Sequence, residues 1–221
     1  TFGIGKVWNL TFDAQDIQLV GSSVSASAQP SSTGDAGDLT IKANNLLVQD
    51  GAQITNGTIG RGNGGNLTVD VKKVRLIGKK EDKFYSGLFA STEIDSTGDA
   101  GNLTVNTDIL QIEDGGMISA ASLGTGRAGN IIVNADSIRL NNDGLITAST
   151  GNNKIDSGRE QATINIKSQD LILRRGSNIF TNARGENVVG GNINIDTDLL
   201  VANENCYFRA NSESFRGGNI R

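Results

Sequence analysis

Residues 101–128, GNLTVNTDILQIEDGGMISAASLGTGRA, are one copy of the unit that decides the fold of this chain. The unit opens on Gly-Asn and continues with an alternation of apolar and polar residues, and variants of this opening recur along all 221 residues. Eight copies start near residues 8, 37, 65, 101, 129, 162, 191 and 218, at intervals of 29, 28, 36, 28, 33, 29 and 27 residues. A repeat period of about 20–50 residues indicates a solenoid, a propeller or another array of stacked units.

Each copy contains three short segments that alternate with the period of two expected for a half-buried β-strand. The second segment places an apolar pair nine and eleven positions after the start of the copy, as Leu110 and Ile112 do. A turn that usually contains Gly follows, and the third segment then adds one apolar and one small inward residue. The apolar residues expected to face inward in the third segment are Val24, Ile54, Phe89, Ile118, Ile146, Phe180 and Phe208.

A single copy cannot bury its apolar face alone, so successive copies must stack with equivalent residues above one another. We therefore predict an all-β fold, a parallel β-helix solenoid with three short strands per coil and about seven coils. Right-handed winding is favoured because parallel crossover connections are almost always right-handed. The repeat predicts one domain over residues 1–221, which we interpret as a segment of a longer protein. A propeller of four-stranded antiparallel blades is the alternative, and the short segments with constant offsets disfavour it.

The second residue of most copies is Asn, which predicts a structural amide ladder along one corner of the solenoid. In such a ladder each side chain hydrogen-bonds to the equivalent residue of the next coil. The predicted members are Asn9, Asn66, Asn102, Asn130, Asn192 and Asn219. A row of ligand-binding amides is the alternative interpretation.

Two copies are lengthened by insertions, near residues 78–87 and 151–160. Insertions in a solenoid form loops that often lie on its binding face. The first insertion combines three lysines with an aromatic pair, and it is the candidate partner-contact loop; its residues are Lys79, Lys80, Lys83, Phe84 and Tyr85. The alternative is a surface loop that the fold tolerates and that has no function.

Composition limits the chemistry that the chain can perform. It has no His, a single cysteine at Cys206 and a formal net charge of −4. The usual zinc ligands, a His partner for a cysteine nucleophile and a basic surface for nucleic acid are therefore missing from the sequence. No apolar run approaches the about 20 residues that a membrane-spanning helix needs. We predict no catalytic residue, no metal site, no cofactor and no membrane span.

Two functional alternatives remain open at this point. Some β-helix families cleave polysaccharides as lyases or hydrolases, and the tripeptide Asn106-Thr107-Asp108 resembles one motif of pectin-hydrolysing members. Their paired-Asp, Gly-His-Gly and Arg-Ile-Lys motifs are absent, and Asp198 recurs at the repeat position of Asp108, which favours a turn residue. A calcium-stiffened repeat module is the second alternative, because acidic residues flank the Gly-rich corners and could supply oxygen ligands. These residues are Asp35, Asp38, Asp95 and Asp99.

The stretch GDAGNLTVNTDILQIEDGGMISAASLGTGRAGNIIV, from Gly98 to Val133, resembles the repeat region of large exoproteins of the filamentous-haemagglutinin type, especially those of cyanobacteria. Such proteins leave the cell by two-partner secretion through a dedicated outer-membrane pore and act as surface adhesins. The resemblance implies a non-enzymatic structural shaft or adhesion segment that is secreted and associated with the cell surface. It further implies partners among the glycans or proteins of host or neighbouring cells. The Asn-Pro-Asn-type motifs of that family's secretion domain do not occur in this chain.

Overall fold

The computed structural model describes residues 8–29, 32–81, 84–151, 161–185 and 188–221. These residues form an all-β parallel solenoid of about six turns, close to the seven predicted, and none of them is helical. The strands, in chain order, are β1 (Leu10–Asp13), β2 (Asp16–Val20), β3 (Ser23–Ser25), β4 (Leu39–Gln49), β5 (Gln53–Thr55), β6 (Leu67–Ile77), β7 (Lys79–Lys80), β8 (Phe84–Tyr85), β9 (Gly87–Phe89), β10 (Leu103–Glu113), β11 (Met117–Ser119), β12 (Ile131–Asn141), β13 (Leu145–Thr147), β14 (Thr163–Arg174), β15 (Asn178–Ala183), β16 (Asn192–Ala202) and β17 (Tyr207–Ser212).

Two parallel sheets run along the rod. The first has the strand order β1-β4-β6-β10-β12-β14-β16, with β2 also paired to β4, and the second has the order β3-β5-β9-β11-β13-β15-β17. A third side is closed by a column of single bridges, whose members are Ala28, Thr58, Thr92, Ser122, Thr150 and Ala183. Partners in both sheets are one repeat apart, as when Leu103 pairs with Leu67 on one side and with Ile131 on the other.

The first two sequence segments of a coil form one long strand that bends in the middle, except in the first coil, where β1 and β2 are separate. In β10 the fully buried residues are Leu103 and Val105 before the bend and Leu110 and Ile112 after it. Val105 and Leu110 are an odd number of residues apart, and on a straight strand two such residues would face opposite sides. Both face inward here because the strand bends between them. Asp108 has no partner in the pairing of β10 with β12, in which Thr107 and Ile109 on either side of it are paired. One strand therefore covers two sides of the coil.

A tight turn joins each long strand to the second sheet. Asp114 and Gly115 both have positive φ at this turn, 54° and 84°, and Asp50 and Gly51 repeat the arrangement at 57° and 77°. Two successive positive φ values are the conformation that Asp-Gly adopts most readily. The later turns have the same pair of positive φ values with other residues, Asn142-Asp143, Arg175-Gly176 and Glu204-Asn205, so the turn geometry repeats while its sequence varies.

The core consists of columns of aliphatic side chains that stack from coil to coil. Leu39, Leu67, Leu103 and Ile131 form one column, and each is fully buried. Burying such a side chain contributes about 1.5–3 kcal/mol. Since each coil contacts only its neighbours, this stabilisation is distributed along the rod.

The sequence prediction for the inward face of the third segment is wrong in two coils. Leu88, not Phe89, pairs with Ile54 and Ile118 and is fully buried. In the same way Ile179, not Phe180, pairs with Ile146 and faces the core. The first insertion lies between the start of its copy and Leu88 and obscures the count there, whereas Ile179 has the same offset from the start of its copy as Ile118 and Ile146, and the larger neighbour Phe180 was preferred to it. A slip of one residue exchanges the two faces of a strand. Both aromatic residues are consequently on the outer face of the second sheet.

Candidate functional site

The predicted amide-ladder residues lie along one corner of the rod. The backbone N–H of Asn102 donates to Oδ1 of Asn66 at 3.1 Å, and the backbone N–H of Asn130 donates to Oδ1 of Asn102 at 2.9 Å. Further contacts of this kind, from backbone N–H to side-chain Oδ1, join Asp38 to Asn9, Asn66 to Asp38, Thr163 to Asn130 and Asn219 to Asn192 at 2.8–3.0 Å. Most of these side chains are exposed, so the contacts hold adjacent corners together at the surface.

We expect Asn102→Ala to lower the free energy of unfolding by about 1 kcal/mol, because it removes the acceptor for the Asn130 N–H. Asn102→Asp is the matched control, since Asp38 occupies the same column and its Oδ1 accepts the Asn66 N–H at 2.9 Å. The Asp variant should keep most of the stability in a urea titration. Equal losses in both variants would contradict a role for the side-chain acceptor.

Two of the four corner acids considered as calcium ligands, Asp35 and Asp99, take part in a second column of contacts. Oδ1 of Asp35 accepts the Asn63 N–H at 2.7 Å, and Oδ1 of Asp99 accepts the Arg127 N–H at 2.8 Å. The Arg127 guanidinium also pairs with Asp99 at 2.9 Å. In the part of the chain that the structure describes, no group of three or more His, Cys, Asp and Glu side chains is arranged to hold a metal ion. These carboxylates therefore connect successive corners.

The tripeptide that resembles a pectinase motif lies at the bend of β10. The Asn106 amide donates to Asp70 at 2.7 Å, and the Thr107 hydroxyl contacts the backbone oxygens of Lys72 and Ile109 at 3.0 Å. Asp108 lines an open groove of about 600 Å³ along the row of bends. Two of the three residues are thus engaged in fixing the bend.

An ionic cluster lies at the last described turn between the two sheets. The Arg174 guanidinium donates to both carboxylate oxygens of Glu204, at 3.1 and 3.2 Å, and Arg175 lies 3.9 Å from the same group. The hydrogen bond from Arg174 holds the pKa of Glu204 below its ordinary value of 4.5. The carboxylate is exposed, so this cluster is a surface contact screened by solvent and salt.

The first insertion forms a β-hairpin on the surface of the rod. Lys79 pairs with Tyr85 and Lys80 with Phe84 in the antiparallel ribbon β7–β8. The hairpin closes where the Ser86 N–H donates to the Gly78 carbonyl at 2.9 Å. Lys83 lies outside the described residues, as does the second insertion from residue 152 to residue 160.

The C-terminal end of the hairpin, where the chain re-enters its coil, is hydrogen-bonded to the preceding coil. The Ser86 hydroxyl accepts the Gly51 N–H at 2.9 Å, and the Gln53 side chain donates to the Tyr85 carbonyl at 3.3 Å. These contacts position Tyr85 beside the outer face of the second sheet, whereas the Phe84 side chain is 52% exposed. The hairpin therefore presents one of its two aromatic residues to that face.

A groove of about 570 Å³ lies on this face, and we call it the hydroxyl groove. Its floor is formed by two rows. One is an outward row of the second sheet, Ser25, Thr55, Phe89 and Ser119, and the other lies two residues beyond the ends of those strands, Ser27, Gly57, Ser91 and Ala121. Its walls are formed by Gln53, Tyr85 and Met117 on one side and by Gln29, Thr58, Ile59, Glu93 and Leu123 on the other.

Of the predicted partner-contact residues, Tyr85 lines the hydroxyl groove, and Lys79, Lys80 and Phe84 do not. The sequence shows the outward row to which Ser25, Thr55 and Ser119 belong, but with Phe89 assigned to the core and Ala90 in its place, that row favours a solvated β-face over an ice-binding or glycan-binding surface. The available signal was the small, hydroxyl-bearing character of the neighbouring outward positions, such as Ser25, Ser27 and Thr55.

Comparisons with known proteins returned no match among family models, curated proteins or solved structures. The fold itself defines the class: the chain is a parallel β-solenoid repeat protein. Within the described residues, no helix has the length and apolar character needed to cross a membrane.

Proposed function

We propose that this chain is a non-enzymatic structural shaft segment of a secreted, surface-associated adhesin of the filamentous-haemagglutinin type. The observation that carries the proposal is the continuity of the rod. Equivalent residues pair in one register from Leu10, through Leu103, to Ile220. Continuous pairing of this kind makes a rod whose adjacent coils have little freedom to move relative to one another. Such a rod can hold a binding surface away from its point of attachment.

The construction also suits a protein that must fold after export. Each coil pairs with the coil before it, so folding can start at one coil and spread to the next without contacts distant along the rod. The stabilising contacts repeat in every coil, and a chain with the single cysteine Cys206 needs no internal disulfide for them. In this proposal the parent protein passes through an outer-membrane pore and meets glycans or proteins of neighbouring cells.

Several of the side chains that the alternative functions would require have structural partners. Asn106 and Thr107 fix a strand bend, and Asp35 and Asp99 accept backbone N–H groups at corners. These contacts favour a shaft over a polysaccharide-cleaving enzyme or a calcium-stiffened module.

Labelling of intact cells tests the proposed location. Antibodies raised against residues 1–221 should label the surface of cells that produce the native protein, without permeabilisation. Labelling confined to permeabilised cells would overturn the proposal. A panel of acidic polysaccharides, incubated with the protein and calcium, tests the enzymatic alternative, and sustained formation of new chain ends would overturn the non-enzymatic assignment.

A further inference from the structure

We propose that the hydroxyl groove binds a neutral, extended oligosaccharide lying along the rod axis. This inference rests on the proposed function, since it gives the shaft an adhesive surface of its own. It assigns the partner class to a defined groove, of which the sequence-predicted contact loop supplies one wall through Tyr85.

The shape of the groove suits an extended chain. One floor row runs through four successive coils from Ser25 to Ser119, and strands about 4.8 Å apart make this row about 14 Å long. The volume of about 570 Å³ falls within the range of about 300–1,000 Å³ that is usual for ligand sites. A ligand of several linked units fits this length better than a single compact molecule.

The floor is the face of a sheet and not its edge. The backbones of β3, β5, β9 and β11 pair with one another beneath the groove. A peptide that adds to a sheet as an extra strand needs free backbone N–H and C=O groups at an edge. The groove offers side chains instead, so its ligand must be recognised by hydroxyl, amide and aromatic groups.

Two of the floor hydroxyls retain hydrogen-bonding capacity for such a ligand, whereas the hydroxyls of Ser91 and Ser119 bond to each other at 3.0 Å. The Ser27 hydroxyl accepts from Ser25 Oγ at 3.0 Å and from the Gly57 N–H at 3.2 Å, which leaves its own proton to donate. The Thr55 hydroxyl donates to the Val24 carbonyl at 3.5 Å and keeps both lone pairs. The donor of Ser27 and the acceptors of Thr55 match the hydroxyl groups of a sugar.

The aromatic residues supply the second half of the recognition. Phe89 is partly exposed in the middle of the floor, and Tyr85 stands at the wall beside it. A pyranose ring presents a C–H face that packs on an aromatic ring while its hydroxyl groups point to polar side chains. A floor of hydroxyl groups with one aromatic ring, and a second aromatic ring on the wall, therefore favours an amphipathic sugar over a purely apolar ligand.

Charge selects a neutral sugar. Of the described residues that line the groove, Glu93 is the one with a charged side chain, and it is exposed at the rim. A carboxylate at the rim repels acidic polysaccharides, phosphorylated ligands and nucleic acids.

An array of neutral gluco-, manno-, xylo- and galacto-oligosaccharides, together with oligogalacturonates and extended peptides, tests the inference on the full chain. We expect binding to a neutral series, with Kd then measured by calorimetry on the best member. Phe89→Ala should raise that Kd about tenfold or more, because aromatic residues at the centre of a site dominate its affinity. Thr55→Arg should also raise it by filling the groove, and the same row holds an arginine at Arg209.

Phe180→Ala is the matched control. Phe180 lies in the same outward row as Phe89, three coils further along, and outside the groove. Its loss should leave Kd unchanged. No binding of any neutral series at millimolar concentration, a preference for the acidic sugars or the peptides, or equal effects of the two Phe variants would each overturn the inference. Cell-surface labelling combined with absent sugar binding would refute the groove assignment alone, and sugar binding without surface labelling would refute the shaft proposal.

Discussion

Gly101→Ala is expected to lower the free energy of unfolding by about 3 kcal/mol or more, although it adds a single methyl group. A Cβ atom at Gly101 would lie 1.9 Å from the carbonyl oxygen of Gly65 in the preceding coil. A carbon atom cannot approach a backbone oxygen so closely, so the two coils would have to separate. Backbone φ is not the cause, because positive φ is found at other glycines and not at this one.

Separation at Gly101 would strain the contacts on either side of it. The Gly101 N–H donates to the Ala90 carbonyl at 3.0 Å, and the next residue, Asn102, bonds to Asn66 at 3.1 Å. The same crowding recurs at Gly65, Gly129, Gly191 and Gly218, where an added Cβ would lie 1.8–2.1 Å from a backbone oxygen one coil earlier. The corner is therefore built from a column of close backbone approaches.

Ala162 provides the matched control for this prediction. It occupies the same column, following the second insertion, and is 5% exposed. We expect Ala162→Gly to change the free energy of unfolding by about 1 kcal/mol or less. Denaturant titrations followed by circular dichroism compare the two variants with the parent chain. Similar midpoints for Gly101→Ala and the parent would show that the corner can open at little cost.

The sequence predicted the features of the fold that are repeated in every coil. The Gly-Asn openings and the apolar pairs, such as Leu110 and Ile112, were recognisable because each coil makes the same contacts and so requires the same residue types. The constant spacing between opening and apolar pair also predicted the register, since equivalent residues must superpose. Features shared by all coils are thus encoded redundantly.

Joints between the repeated segments, and features that occur once, could not be predicted with the same means. The bend of the long strand shows only as a change of parity between residues such as Val105 and Leu110, and the two halves look like separate strands in the sequence. The pairing of Lys79 with Tyr85 in the hairpin has no equivalent in other coils. The orientation of Phe89 depends on how many residues the insertion adds, and size and hydrophobicity alone favoured the wrong neighbour.

Leu88→Ala is expected to lower the free energy of unfolding by about 2–5 kcal/mol, the usual cost of removing a fully buried Leu side chain. The cavity would open between Ile54 and Ile118, which flank Leu88 in the adjacent coils. Phe89→Ala should cost about 1 kcal/mol or less, because that side chain is on the partly exposed outer face.

The substitution that lowers the free energy of unfolding more identifies which of the two residues, Leu88 or Phe89, faces the core. If Phe89 faced the core, the larger side chain would give the larger loss, and Leu88→Ala would be nearly neutral. Urea titrations of the two variants and the parent therefore distinguish the alternatives without a binding assay. The same measurement determines how the sugar experiment is interpreted, because a Phe89→Ala protein that keeps its stability and loses its affinity has lost a contact and not its fold.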